Sequence, residues 1–136
     1  MAASVNGEVD RYGSNSRGIR YATDMLLQTS TLQTVQGNGS VRSFPFPKDV
    51  GSVQILLRSD GYPMNSRIEL ISGPNSIKQV IEIYSEDGYA RPIYAIIETP
   101  GMNDNVVRVV NTSPLEFPLL ANVAAHSNKP AKLFRR

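Results

Sequence analysis

Cysteine and tryptophan are absent from this chain, and histidine occurs once, as His126. Without thiols there is no disulfide, no thiolate metal site and no thioether link to a cofactor. The lone histidine lies in a polar C-terminal stretch. A general base needs an orienting partner and a dry pocket, so a solvated or partner-contacting ring is expected there. No apolar run approaches the ~18 residues that span a bilayer as a helix. Gly37-Asn38-Gly39 lacks the lysine and the following helix of a phosphate-binding loop. No cofactor is expected.

Charge is unevenly spread. The net +2 divides into +1 for residues 1–47, −3 for residues 48–121 and +4 for residues 122–136. A mildly acidic body with a basic tail points to an anionic partner for the tail. Four tail cations without a basic face on the body argue against nucleic acid. Met1-Ala2-Ala3-Ser4 has neither the basic nor the apolar region of a secretory signal, and Glu8, Asp10 and Asp24 fit a transit peptide poorly.

What the chain does have is regular punctuation. β-type runs begin near Val53, Arg67, Gln79, Pro92, Val106 and Pro118, at intervals of 14, 12, 13, 14 and 12 residues. Turn chemistry fills each gap, from Ser59-Asp60-Gly61-Tyr62-Pro63 to Asn111 through Pro114. Short strands at such intervals predict an all-β, antiparallel sandwich of about seven or eight strands. Phe44-Pro45-Phe46-Pro47 fits only an edge, since proline gives no ladder donor, with both rings turned to the core.

Val53, Ile55 and Leu57 alternate onto one face, as do Ile81 and Ile83, and Ile93, Ala95 and Ile97. Several strands are apolar on both faces, so something must cover the outer side: a partner or the chain's own arms. The Glu86-Asp87-Gly88 turn predicts that Val80–Tyr84 and Ile93–Glu98 form a central hairpin, with Gly88 supplying positive φ.

The expected organisation is a polar N-terminal arm over residues 1–40, a sandwich over 41–124 and a basic tail over 125–136. Met1 to Arg20, rich in Ser, Asn, Gly and Arg, cannot offset its ordering entropy alone. Tyr21 to Gln36 suits a short helix or a first strand. The Thr and Gln content of Thr29–Gln36 favours the strand.

Candidate chemistry is sparse. Turn carboxylates at Asp49, Asp60, Glu86, Asp87 and Asp104 come one or two to a loop, as in ordinary turns rather than in a calcium site of six to eight oxygens. Glu82 and Glu98 would lie on adjacent strands as a carboxylate pair. Without tryptophan platforms they read better as solvent-facing groups or as partners of Arg91 and Arg108. Asn38-Gly39-Ser40 and Asn111-Thr112-Ser113 match the short glycosylation sequon. In the tail, Lys129, Lys132, Arg135 and Arg136 flank Leu133 and Phe134. With Arg11, Arg17 and Arg20 of the other arm, these are the expected partner-binding residues; no catalytic or metal-binding residue is expected.

Gly73-Pro74-Asn75, Lys78 through Gly88, Arg91-Pro92, Glu98-Thr99-Pro100-Gly101, Asn105 to Asn111 and Glu116-Phe117-Pro118 together give a further indication. Across Ile71 to Leu120 the chain resembles short plastid-associated proteins of algae. The resemblance implies a photosynthetic setting, where linker-like subunits brace antenna (phycobilisome-type) assemblies, and a location in the plastid stroma rather than the cytoplasm. It puts no residue in a catalytic role, and without cysteine such a subunit carries no thioether-linked bilin.

The leading expectation is therefore a non-catalytic structural or linker subunit that binds other protein subunits of a large complex. The alternative is a β module binding calcium, lipid or carbohydrate through its end loops.

Overall fold

A computed structural model of the chain describes residues 3–5, 14–74, 76–101 and 103–129. The elements are β1 (Ala3–Val5), α1 (Ser14–Thr29), β2 (Gln33–Val35), β3 (Val41–Phe46), β4 (Val50–Arg58), β5 (Met64–Ser72), β6 (Ile77–Ser85), β7 (Ile93–Glu98), β8 (Asn105–Asn111) and β9 (Leu119–Asn128). They build two antiparallel sheets, one of five strands in the order β1-β7-β4-β9-β2 and one of four in the order β3-β8-β5-β6. The predicted all-β sandwich is what forms.

Period-two alternation sends Val53, Ile55 and Leu57 of β4, Ile97 of β7 and Ala121 and Val123 of β9 inward from the first sheet. Ile68 and Leu70 of β5 and Val107 and Val109 of β8 meet them from the second. Phe44 and Phe46 pack against this core from β3, which is an edge strand as Pro45 requires.

The outer face of the five-stranded sheet is also apolar, and the chain's own helix covers it. Ile19, Ala22 and Leu26 form one stripe of α1 and pack on Leu56, Tyr94, Ile96 and Ala124. Leu26 is fully buried. Helix α1 stops where side chains compete for its last carbonyls: Thr29 Oγ1 donates to Met25 O and Ser30 Oγ to Leu26 O. Asn122 Nδ2 then donates to Ser30 Oγ at 2.9 Å, pinning the helix end to β9.

Several expectations need correction. The stretch from Tyr21 to Thr29 is helix and not strand, because its apolar stripe has a sheet face to bury against; only Gln33–Val35 is extended. The first twenty residues supply β1, which pairs with β7 through Ala3↔Ile97 to Val5↔Ala95. Strand β9 runs on to Asn128, four residues beyond the expected end of the sandwich at Ala124.

The predicted central hairpin is wrong. Strand β6 is an edge of the four-stranded sheet, paired with β5, whereas β7 lies in the other sheet between β1 and β4. The Glu86–Gly88 turn therefore carries the chain from one sheet to the other. Gly88 is not among the glycines with positive φ, which among the described residues are Gly39, Gly61 and Gly73. Its role is close approach: a Cβ there would lie 2.5 Å from Ser59 Oγ and 2.8 Å from Ser59 N. The crossover is laced to the Asp60–Tyr62 turn by Ser59 N–H to Gly88 O and Gly88 N–H to Tyr62 O, each 3.2 Å.

Candidate functional site

Two polar constellations stand out from the core. One sits at an end of the five-stranded sheet, where β4 and β9 fall out of register. Val50 pairs with Asn128, Ser52 with Ser127 and Val53 with Ala125, so Gly51 and His126 are each left without an opposite residue. Such bulges re-aim side chains. Here His126 Nδ1 and Ser127 Oγ both reach Ser52 Oγ, at 3.0 and 2.7 Å. Ser52 is only 5% exposed, while the imidazole is exposed. A pocket of about 430 Å³ opens beside them, with Glu98, Thr99 and Lys129 also on its wall.

Histidine is thus not in a loose tail; it belongs to a strand and contacts a serine. A hydrolytic site would need a third group to orient the imidazole. Among the described residues no carboxylate hydrogen-bonds to His126. The three side chains satisfy one another as a polar plug in the bulge. Lys129 closes the same end: its ammonium donates to the Lys48 and Pro100 carbonyls, and its backbone N–H donates to Asp49 O.

The second constellation lies on the outer face of the four-stranded sheet. Glu69 faces Arg108 across β5 and β8, with Arg67 two residues back on its own strand. Its carboxylate takes Arg67 Nε on Oε2 at 2.8 Å, and Arg108 Nε and Nη2 on Oε1 at 2.9 and 2.8 Å. The hydrogen bond from Arg67 does most to hold this carboxyl below its ordinary value of 4.5; burial opposes the shift and Arg108 reinforces it.

A lowered carboxylate stabilises the fold above the unfolded-state pKa and loses that contribution as pH falls through the lower folded value. Glu69→Gln should therefore be less stable than the parent near neutrality. The gap in urea midpoint should narrow once the pH drops below about 4.5, and a gap independent of pH would show that the Arg67–Glu69–Arg108 cluster does not act electrostatically.

Turn carboxylates do turn work. Asp87 Oδ1 accepts from the Tyr89 and Ala90 N–H groups, and those two bonds, Ala90's first, lower its pKa. Asp104 Oδ1 accepts from Lys48 N–H. Among the described residues no three His, Asp or Glu side chains gather as a metal-binding group. Glu82 and Glu98 lie in different sheets, so they form no catalytic pair; Glu82 stands opposite Arg67, and Arg108 binds Glu69. Asn111 of the second sequon is buried and gives its amide hydrogens to Val35 O and Phe117 O.

Of the expected partner-binding residues, Arg20 is exposed on α1, Arg17 lies on the same helix and Lys129 lines the end pocket. Arg11, Lys132, Leu133, Phe134, Arg135 and Arg136 lie outside the described residues. The Ser52–His126 contact was not foreseen: the two are 74 positions apart, and only the β4–β9 register brings them together.

This frame is a helix laid on one sheet of a sandwich, with charged and apolar rows on the other sheet. A family model described as diatom pyrenoid shell protein matches residues 1–125. The chain belongs to that family. The family is one of structural assembly components, and it points to the plastid, in keeping with the algal plastid resemblance. No curated protein matches the chain. The match takes in every described element of this shell-family chain up to the last residues of β9 and leaves the basic tail outside it. Among the described residues no helix is long and apolar enough to cross a membrane.

Proposed function

We propose that the chain is a non-catalytic structural subunit of a protein shell in the algal plastid, held there by contacts with other protein subunits. The family match over residues 1–125 carries this reading. A sandwich braced by its own helix suits a load-bearing unit, since both faces of the five-stranded sheet are packed. The resemblance to plastid-associated proteins also left an antenna-linker role open. The family's description names a shell, and the shell is the reading adopted.

Contacts through the termini are part of the proposal. Arg11, Arg17 and Arg20 act from the N-terminal side, and Lys129, Lys132, Leu133, Phe134, Arg135 and Arg136 from the tail, whose +4 suits the acidic face of a neighbouring subunit. Ending the chain after Lys129 removes no residue of β9. The shortened protein should keep its unfolding midpoint and incorporate less well into isolated pyrenoid material. The loss attributable to Lys132, Arg135 and Arg136 should fade at high salt, because exposed charges are screened within ~8 Å at physiological ionic strength. Leu133 and Phe134 supply a salt-resistant remainder. Equal incorporation of both forms at low and high salt would remove the tail from the contact.

The pocket beside His126 favours a ligand-binding module as the second reading. Titration with calcium, lipid headgroups or sugars that leaves the Ser52 and His126 resonances unmoved would discard it.

A further inference from the structure

The two ends of the sandwich differ in charge and in apolar exposure. Strands β4, β6 and β8 finish, and β5, β7 and β9 begin, at the end formed by residues 59–63, 86–92 and 112–118. These loops carry Asp60, Glu86, Asp87 and Glu116 against Arg91, a net −3. Tyr62 stacks on Phe117 there, with ring centroids 4.8 Å apart. Tyr62, Tyr89 and Leu115 are exposed at 41%, 78% and 56%. The Gly88–Tyr62 hydrogen bond and the ring stack tie the three loops together, so the acids and the rings share one surface. An exposed apolar cluster rimmed by charge marks an interaction site.

Chemistry and reach select what binds it. In its loops the opposite end balances Lys48 and Lys129 against Asp49 and Asp104. The chain continues from that end as Pro130-Ala131-Lys132-Leu133-Phe134-Arg135-Arg136, adding three cations and no acid. Carboxylates accept from Lys and Arg, tyrosine faces attract Arg, and exposed rings take Leu and Phe. The tail thus complements the acidic end in both charge and apolar character. Phe134 stands five residues beyond Lys129, so a fully extended chain carries it no more than about 18 Å away. Strand β9 spans ten residues, which puts the acidic end about 30 Å from Lys129. A tail cannot reach the acidic end of its own sandwich.

We infer that residues 132–136 of one copy dock on the Tyr62–Phe117 end of a second copy, joining sandwiches head to tail. Such a contact is heterologous, so it extends from copy to copy as a row or a ring. The inference rests on the shell reading for giving the tail a neighbour, and adds which neighbour and which surface.

Charge exchange in the full-length chain tests it. The tail variant is Lys132→Glu/Arg135→Glu/Arg136→Glu. The end variant is Asp60→Lys/Glu86→Lys/Glu116→Lys, at three exposed positions. In sedimentation velocity the mass of the parent should rise with concentration past two copies. Either variant alone should raise the dissociation constant about tenfold at low salt, since like charges then face each other. Mixing the two restores unlike charges at every junction, and the parent's association should return. Tyr89→Ser keeps the backbone N–H that Asp87 holds. It should weaken association at high salt as well as low, because it removes apolar contact. Thermal midpoints guard against loss of fold.

A parent that stops at one or two copies would overturn the joint. So would single variants and Tyr89→Ser that associate like the parent, or folded single variants whose mixture stays dissociated. Shell localisation of an end variant that associates like the parent would sink the joint and leave the shell reading in place. Rescue on mixing, with the parent located away from the shell, would do the reverse.

Discussion

Ile97→Ala is expected to lower stability by about 2–5 kcal/mol, the range for emptying a large aliphatic site in a packed core. Ile97 is 1% exposed and faces the sandwich interior from β7, a strand hydrogen-bonded on both sides, by β1 and β4. Neighbours held by two ladders cannot close on the vacated space, so the cavity term should be nearly full. Ile83→Ala on the edge strand β6 should cost less, about 1–2 kcal/mol, because the side chain is half-buried and part of the loss is transfer of already wet surface. Urea titration of both variants gives the comparison. Equal losses would mean that edge and centre are packed alike, against the observed topology.

A second large effect is expected at Asn111. It lies at the end of β8 and is 1% exposed. Its Nδ2 donates to Val35 O at 2.9 Å and Phe117 O at 2.8 Å, and its Oδ1 accepts from Ser113 N–H at 3.1 Å. One amide thus ties β2 of the first sheet to the end of the second and to the loop leading into β9. Asn111→Leu keeps the branching at Cγ and strands all three groups. Unpaired buried polar groups cost about 1–3 kcal/mol each. Because the partners are shared and the loop can admit water, a total of about 3 kcal/mol is the expected loss in the denaturant midpoint. A loss below about 1 kcal/mol would show that the amide is not the tie between the sheets.

The strands were legible because the signal that defines them is local. Alternation of Val53, Ile55 and Leu57 against Gln54 needs only the sequence, and it places those three in the core where they are found. Prolines at 45 and 47 named an edge for the same reason. Pairing is not local. Glu86-Asp87-Gly88 says that the chain turns, but it does not say in which sheet the next strand lands, and a crossover between sheets uses the same residues as a hairpin.

Helix α1 starts well before the short helix that Tyr21 to Gln36 suggested, and its first turns were missed because Ser14, Asn15, Ser16 and Gly18 are poor helix formers. Only three stripe positions, Ile19, Ala22 and Leu26, give it away, and their value depends on the apolar outer face of β4 and β7. That outer face was itself readable as a surface needing cover, and the arm supplies the cover. The Ser52–His126 contact had no sequence signal at all, since it follows from two bulges that set the β4–β9 register.

The central claim is that this chain is a structural part of a pyrenoid shell, and location tests it most directly. Immunogold labelling of the full-length protein in sections of an algal cell should place the gold in a continuous line at the pyrenoid margin. Label spread over the photosynthetic membranes, as an antenna linker would give, or dispersed through the cytoplasm would contradict the account.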